Sequence, residues 1–284
     1  MSKISIVTDS TAYIPSDLLK QYDIHVVPLS VIWGSDTYED GVNITPSEFY
    51  TKLAASKVSP TTSQATPGYM LKTFQSCIDS GNDVIGVFIS AKLSGTYSSA
   101  VQGAEMLKSG KEKVHFVDST TTSMGLGFQV LTLARAAASG ANMSECLKLA
   151  EKAQQNTGVY FVVDTLEYLH RGGRINTAKK FLGTALNLKP ILTIADGKIE
   201  PVASVRTKSK AVDKVIELIE EKCAGKSNVR LATMHANAFT DAKSAIDLAA
   251  SKVNAVEKIY SEVSPAIGVH TGPGTVGLAY SFDL

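Results

Sequence analysis

Apolar runs alternate with helix-periodic stretches along the first half of the chain. The apolar runs predict β-strands at 4–8, 25–32, 84–89 and 113–117. The periodic stretches predict helices at 45–55, 67–80, 97–108 and 124–138. Strands that alternate with helices of this length are typical of a mostly parallel sheet with helices on both faces. The first half of the chain therefore predicts an α/β domain.

The pattern changes after residue 160, where the predicted strands become shorter. These strands lie at 191–194, 199–205, 229–235 and 255–260, and they flank helices at 208–223 and 241–251. The segment Ala-Asp-Gly-Lys at 195–198 joins two of the strands as a hairpin turn. We therefore predict two α/β domains. Residues 1–160 form the first, with polar loops at the strand ends, and residues 161–284 form the second, with a mixed sheet.

Composition narrows the class of protein. The 284 residues are 44% hydrophobic and 19% charged, which is enough apolar material for a sizeable core. A net charge of +1 argues against a nucleic-acid partner. Cys77, Cys146 and Cys223 have no paired spacing, so neither a disulfide framework nor a zinc site is expected. Without a signal peptide or an apolar run of membrane-spanning length, we expect a cytoplasmic protein that does not insert into membranes.

Polar side chains gather where several predicted strands end. They occur at 9–11, 59–64, 90–96 and 118–123. Ligands of open α/β sheets bind beyond the carboxyl ends of the strands. Ser94, Gly95 and Thr96 stand where a helix begins, and the unpaired N–H groups of a helix start favour a carboxylate or phosphate. The alternative is that Ser94 or Thr96 only caps the helix.

A glycine-rich motif, His-Thr-Gly-Pro-Gly-Thr-Val-Gly, occupies 270–277. It matches G-x-G-x-x-G formally, but a dinucleotide site needs this fingerprint at the start of a helix inside a βαβ unit. We instead predict a tight turn that brings the backbone close to a ligand or to the other domain. His270 follows a predicted short strand at 266–269. It is a candidate for contacting an anion, and a structural role is the alternative.

Two arginines, Arg171 and Arg174, surround a double glycine. They form either a solvated loop or a cationic patch for a protein or phosphate partner. Arg206, Lys208 and Lys210 would extend such a patch. The sequence alone does not bring these groups together.

Catalytic signatures are missing from the sequence. Lys92 stands where a G-x-S-x-G elbow around Ser94 needs its first glycine. The five histidines lack metal-site spacing, and the segment around Gly225 is not a P-loop. This pattern favours a binding protein over an enzyme. The alternative from another class is a serine-dependent acyl hydrolase that uses Ser94 and His270.

Taken together, the motifs resemble the DegV family, and in particular the fatty-acid-binding subunit of bacterial fatty acid kinase. The matching motifs run almost from end to end, at 7–10, 62–64, 90–98, 117–119, 166–175 and 270–274. One departure is Ala65-Thr66-Pro67, where the family usually has proline directly after Gln64. It is expected to change the shape of the loop more than its chemistry.

The resemblance implies a two-domain α/β protein with a long-chain fatty acid between the domains and the acyl chain in an apolar tunnel. It implies that Thr62, Ser94 and His270 hold the carboxylate, supported by Gly95 and Thr271. No catalytic residue, metal or cofactor is expected in this chain. A lipid-sensing regulator that binds another apolar acid is a further alternative, because the motif residues leave the tail unspecified.

The resemblance also implies a protein partner. In kinase-linked members of the family, a separate ATP-dependent subunit phosphorylates the bound carboxylate. Arg206 matches the position implicated in docking that kinase. Arg171 and Arg174 are further candidates for the same surface.

Overall fold

The computed structural model describes residues 3–181 and 188–284. The strands of the described part are β1 (Ile4–Asp9), β2 (His25–Val27), β3 (Ser30–Trp33), β4 (Asp36–Glu39), β5 (Thr61–Ser63), β6 (Asp83–Phe88), β7 (Val114–Asp118), β8 (Thr157–Val162), β9 (Lys189–Ala195), β10 (Lys198–Val205), β11 (Arg230–His235), β12 (Glu257–Ile259) and β13 (Val276–Ser281). The α-helices are α1 (Ser16–Gln21), α2 (Pro46–Ala55), α3 (Pro67–Asp79), α4 (Thr96–Glu105), α5 (Ser123–Ala138), α6 (Met143–Asn156), α7 (Glu167–Arg171), α8 (Lys208–Cys223), α9 (Phe239–Val253) and α10 (Pro265–Thr271).

The first sheet is parallel, as the sequence predicts. Its four strands lie in the order β2-β1-β6-β7, and all of its pairings are parallel. All six residues of β1 are buried, which is typical of a strand covered on both faces. Helices α3 and α4 pack together and contact this sheet, while α5 contacts β1 and β6. The carboxyl ends of these strands therefore meet at one edge.

The prediction of one continuous strand at 25–32 is wrong. It splits into β2 of the parallel sheet and β3 of a small antiparallel sheet with the order β4-β3-β5. Pro28 lies at the break, where it offers no N–H to a sheet ladder. The polar segment around Thr62 becomes β5 at the edge of the small sheet. Thr62 is thereby fixed by strand pairing with Val31.

The second sheet is mixed, as predicted. Its six strands lie in the order β10-β9-β8-β13-β11-β12, and only β11 and β12 are parallel neighbours among the described pairings. The predicted hairpin is confirmed, because β9 and β10 pair antiparallel around Asp196 and Gly197, which both have positive φ. β8 spans the expected domain boundary at 160/161 and belongs to this second sheet. The boundary itself stays a prediction.

Helix α5 lies between the two large sheets. It contacts β1 and β6 on one side and β8, β11 and β13 on the other. Every residue from 123 to 131 is buried, as expected of a helix that is covered all round. Helices α8 and α9 pack together against the same mixed sheet.

The predicted strand at 266–269 is wrong: these residues belong to helix α10. Pro265 occupies the first helical position after Ser264, which is a favourable start for a helix. The helix ends at Gly272, whose φ of 74° favours glycine. His270 and Thr271 therefore lie in the last turn of a short helix. The glycine-rich segment forms a turn up to Gly274 and then enters β13, a central strand that the sequence pattern did not reveal.

Candidate functional site

A cleft of about 730 Å³, including its opening to solvent, lies between the two large sheets. Most of its wall is apolar and comes from Leu29, Ile89, Leu93, Val159, Phe161, Leu169, Ile194, Ile199, Met234, Val263, Ala266 and Ile267. Such a wall removes apolar ligand surface from water.

The β9–β10 hairpin closes one side of the cleft. Its tip contacts the loop after β6, where the Ser90 hydroxyl donates to the Gly197 carbonyl at 2.9 Å and Lys92 Nζ donates to the Asp196 carbonyl at 2.8 Å. Ile194 and Ile199, which flank the turn, then line the cleft. The second sheet thus supplies part of a wall that the first sheet alone could not build.

The structure brings together most of the polar residues that the sequence singled out. Thr62, Ser94, His270 and Thr271 all line the cleft. Thr62 Oγ1 and His270 Nε2 are 2.8 Å apart, although 208 positions separate the two residues in sequence. The small sheet carries the first residue and α10 carries the second, so tertiary packing makes this pair.

Gly95 is not among the described residues that line the cleft. It lies beside Ser94 as the N-cap of α4 and makes no side-chain cap. The carboxamide of Gln64 occupies the space where a β-carbon of Gly95 would stand. Ser94 Oγ accepts the N–H of Thr96 at 3.3 Å and lies 2.9 Å from Thr96 Oγ1. Ser94 therefore has a local turn contact and also faces the cleft.

His270 is held as a neutral imidazole. Burial, and to a lesser extent the charge of Arg174, lowers the pKa of His270 to about 4. Its Nδ1 atom is buried and has no hydrogen-bond partner among the described residues. The ring lies against Gly172, where a β-carbon would overlap it. The lack of a side chain at Gly172, at the end of α7, therefore leaves room for the His270 ring.

Arg174 lies in the wall of the cleft, whereas its sequence context suggested a partner-facing surface. Its Nε donates to the Leu93 carbonyl at 3.2 Å, and Nη1 donates to the Gly172 carbonyl at 2.6 Å. No acidic side chain stands among the described residues of the lining. The cleft therefore carries one guanidinium charge next to neutral hydroxyl and imidazole groups, which favours an anionic ligand.

The other two arginines lie elsewhere. Arg171 is exposed, pairs with Glu167, donates to the Ser59 hydroxyl and lies over the ring of Tyr168. Arg206 is exposed just after β10. Neither residue is part of the described lining. Their expected role in docking a kinase stays a prediction.

The acidic strand ends have structural partners. Asp9 is fully buried, accepts from the Ile89 N–H at 2.7 Å and from both Thr11 donors, and joins β1 to the end of β6. Burial raises the pKa of Asp9. Asp118 accepts from the Thr120 and Ala91 N–H groups. Of the four polar segments predicted at strand ends, those that contain Thr62, Ser94 and Thr122 line the cleft.

Sequence reasoning missed several lining residues as members of the site, among them Tyr13, Thr122, Phe161 and Met234. The polar run at 118–123 was a signal for Thr122, although it did not separate this residue from its neighbours. Phe161 and Met234 read as ordinary core positions in strands. Only the tertiary packing shows that these two strand residues also line the cleft.

The geometry offers no support for an acyl hydrolase. Within residues 3–181 and 188–284, His270 Nε2 is paired with Thr62 and not with Ser94, and no carboxylate orients its other nitrogen. A serine nucleophile needs a base within hydrogen-bond reach and a group that orients this base.

The described residues also contain no group of three or more His, Cys, Asp or Glu side chains placed to hold a metal ion. None of the described helices has the length and apolar character needed to cross a membrane.

Fold and cleft define a two-domain α/β protein with an apolar ligand cleft between its sheets. The chain belongs to the DegV family, whose sequence profile matches residues 3–283. A DegV domain-containing protein of Halalkalibacterium halodurans is 36% identical over 284 residues and is covered completely, as is this chain. The resemblance to the DegV family is thus confirmed over the whole chain.

Two solved structures share this architecture. A DegV family protein of Thermus thermophilus, named for fatty acid binding, superimposes with a TM-score of 0.92 at 33% identity over 99% of each chain. DegV of Bacillus subtilis, named as a fatty acid binding protein, gives a TM-score of 0.90 at 32% identity over 100% of each chain. The two-domain α/β fold is therefore that of the family.

Proposed function

We propose that this protein binds a long-chain fatty acid in the cleft and presents the carboxylate to a separate ATP-dependent kinase. The observation that carries the proposal is the contrast within the cleft wall. One cation and a few neutral hydrogen-bonding groups stand in a lining that is otherwise apolar and has no acid among its described residues. An apolar chain with a single anionic head group satisfies both parts of this wall.

The tail supplies most of the affinity in this proposal. Each CH₂ group removed from water contributes about 0.8 kcal/mol, so a sixteen-carbon tail contributes roughly 10 kcal/mol before entropy is subtracted. The contacts with the head group then serve to orient the carboxylate more than to add binding free energy. The names of the relatives from Thermus thermophilus and Bacillus subtilis support a fatty acid as the ligand.

We assign the carboxylate to Thr62, Ser94 and His270, with Thr271 and the backbone of Gly95 in support. A neutral imidazole and hydroxyl groups donate hydrogen bonds without forming a bidentate clamp. Arg174 donates at least two of its N–H groups to the Leu93 and Gly172 carbonyls, so it acts on the carboxylate mainly through its charge. One carboxylate oxygen stays available for reaction.

In the proposed reaction this oxygen attacks the γ-phosphorus of ATP, which the partner kinase holds. The bond between the γ-phosphorus and the bridging oxygen breaks, and acyl phosphate and ADP form. This chain supplies no catalytic group to that step; it positions the carboxylate and shields the tail. We assign kinase docking first to Arg206, then to Arg171 and Arg174, and we place the reaction in the cytoplasm.

The test is mass spectrometry of an organic extract from the purified protein, followed by titration of the delipidated protein with palmitic acid. We expect about one fatty acid per chain. Ser94→Ala and His270→Ala should each weaken palmitate binding about 10-fold, as expected when a hydrogen bond to a charged group is lost.

Ser98→Ala is the matched control, because this serine is exposed in α4, shortly after Ser94, and its hydroxyl accepts from Gln102 and does not line the described part of the cleft. It should bind palmitate as wild type does. An empty extract together with no binding of palmitate or related fatty acids would overturn the proposal. If palmitate binds but neither Ser94→Ala nor His270→Ala changes its affinity, the head-group assignment is wrong.

A further inference from the structure

A second cavity, of about 690 Å³ including its opening to solvent, lies on the first domain. Most of its lining is apolar and comes from Ala12, Tyr13, Ile14, Leu19, Val26, Pro28 and Val42. Its polar lining residues are paired within the protein: Asp9 accepts from the Ile89 N–H, and Ser10 donates to Asp40. The second cavity therefore offers mainly an apolar surface.

The second cavity adjoins the ligand cleft. Pro28 lines the second cavity, and its chain neighbour Leu29 lines the cleft. Asp40 lines the second cavity and accepts the N–H of Ala266, which lines the cleft, at 3.3 Å. Tyr13 is the one described residue that lines both. Covalent neighbours and hydrogen-bonded partners thus stand on opposite sides of one thin layer of protein.

The side chain of Tyr13 extends into this layer. Its hydroxyl is buried and lies near Asp40 and Ser264, the residue that directly precedes α10. The ring packs against the main apolar core of the protein. The ring of Tyr13 therefore belongs to the boundary between the cleft and the second cavity.

Tyr13 lies towards the start of α10, whereas the proposed head-group residues lie at its end. The Tyr13 carbonyl accepts the hydroxyl of Ser261, a few residues before the helix, at 2.9 Å. Ala266 and His270 both line the cleft and are separated by about 6 Å along the helix axis. A tail that extends from the carboxylate along α10 towards its start consequently approaches Tyr13.

The backbone of Tyr13 is also unusual. Its φ of 56° lies in the left-handed region, which glycine or asparagine adopts at lower cost than a residue with a large side chain. Strained positions of this kind cluster at ligand sites. A large ring at such a position indicates that the ring itself has a use.

We propose that the ring of Tyr13 closes the tail-binding end of the cleft and thereby limits the length of the acyl chain that this protein binds well. The inference rests on the proposed function and specifies which fatty acids it takes. With the ring in place, the second cavity is closed to the tail. Without the ring, the two cavities join, and a longer tail reaches apolar surface on the far side.

The experiment titrates the delipidated protein with a series of saturated fatty acids from lauric acid to behenic acid. In wild type, the affinity should rise with chain length up to one acid and then rise no further. In Tyr13→Gly the rise should continue past that acid, by about 4-fold for each further CH₂ group that leaves water. Glycine suits the left-handed backbone, so this variant removes the ring without adding strain.

Tyr13→Phe is the matched control, because it keeps the ring, and it should reproduce the wild-type length limit. Tyr13→Asn is a second small variant that tolerates the left-handed backbone, and it should move the limit in the same direction as Tyr13→Gly. A thermal unfolding curve shows that each variant is folded.

A double variant tests where the longer tail goes. Val42 lines the second cavity from a position that is 65% exposed, so a larger side chain there fills the cavity without disturbing the core. Val42→Trp added to Tyr13→Gly should restore the wild-type length limit. If the limit is not restored, the tail does not enter the second cavity and the inference is overturned.

Other results separate this inference from the proposed function. If fatty acids bind but Tyr13→Gly and Tyr13→Asn keep the wild-type limit, Tyr13 does not set the chain length, while the proposed function stands. An equal change for every acid in Tyr13→Gly, or a shifted limit in Tyr13→Phe, would also overturn the role of the ring. So would a wild-type affinity that rises over the whole series. If no acid binds wild type, the proposed function fails and the inference fails with it.

Discussion

The two ends of the short helix α10 show how differently one fold treats buried polar groups. At its start, the Asp40 carboxylate accepts from the Ser10 hydroxyl at 2.6 Å and from the Ala266 N–H at 3.3 Å, so both of its oxygens are paired. At its end, His270 is paired through Nε2, but its Nδ1 has no partner among the described residues.

The difference separates a structural polar site from a site for a ligand. Asp40 ties α10 to the first domain, and its bonds are complete within the protein. His270 lies in the wall of the cleft near the Arg174 guanidinium, and no acidic side chain is among the described residues of that wall. The Asp40 end of α10 is therefore satisfied within the protein, whereas the His270 end lines the cleft.

The largest expected effect comes from the Asp40 end. Burial raises the pKa of Asp40 from 3.8 to about 6, a shift that corresponds to about 3 kcal/mol of free energy of unfolding. Because the folded state binds this proton more tightly than the unfolded state, the stabilisation is present below about pH 4. It is lost as the pH rises through about 6.

Asp40→Asn removes this titration. Between about pH 4 and pH 7, the difference in free energy of unfolding should shift in favour of the variant by about 3 kcal/mol relative to wild type. Urea denaturation across this range measures the shift. Asp17→Asn, at an exposed position in α1, is the control. A constant difference between Asp40→Asn and wild type at all pH values would contradict the assignment.

The second largest effect is expected at the end of α10 that carries His270. Gly172→Ala places a methyl group where the His270 ring lies. Gly172 has a φ of −75°, so alanine brings no backbone strain, and only the overlap is tested. Displacing the ring should weaken fatty acid binding about 10- to 100-fold, the scale of overpacking in a filled site.

Gly68→Ala is the control for this substitution, because a β-carbon there meets no atom closer than 4.0 Å. Titration with palmitic acid and a thermal unfolding curve for each variant separate binding from folding. Wild-type affinity in Gly172→Ala would show that the position of the His270 ring does not matter for the ligand.

The smallest expected effect tests the positive charge of Arg174 beside His270. Arg174→Gln removes the cation beside His270, so the pKa of His270 should rise, because the charge of Arg174 adds to burial in lowering it. Nuclear magnetic resonance of the histidine ring measures this pKa. Palmitate affinity should fall up to about 10-fold, because a nearby charge no longer attracts the carboxylate.

Arg171→Gln removes an exposed guanidinium from the same segment and should leave both the pKa of His270 and palmitate affinity unchanged. Equal behaviour of the two variants would mean that Arg174 acts as a surface charge. In that case the position of Arg174 in the cleft wall would not contribute to palmitate affinity.

Much of the fold could be predicted from local pattern. The buried run of β6 and the turn at Asp196 and Gly197 follow from residue type alone, since each needs only neighbours in sequence. Residues 266–269 were wrongly predicted as a strand because four apolar or small residues fit either element. The proline at 265 and the glycine at 272 favour the helix that forms.

The candidate site was partly visible in advance. Motif resemblance named Thr62, Ser94, His270 and Thr271, which the structure brings to one cleft. It named Arg174 for a docking surface, and the structure places it in the cleft wall. No local rule could have foreseen this, because the Gly172 and Leu93 carbonyls that hold the guanidinium belong to different parts of the chain.

The sequence by itself determined the alternation of strands and helices, the parallel first sheet, the hairpin and the family, because these depend on periodicity, turn chemistry and motifs. Only the tertiary structure decided which polar residues are satisfied and which are left open. Asp40 and His270 look alike along the chain as polar residues near apolar segments. Their roles separate once packing gives each side chain its neighbours, because the pairing of a buried group depends on contacts far apart in sequence.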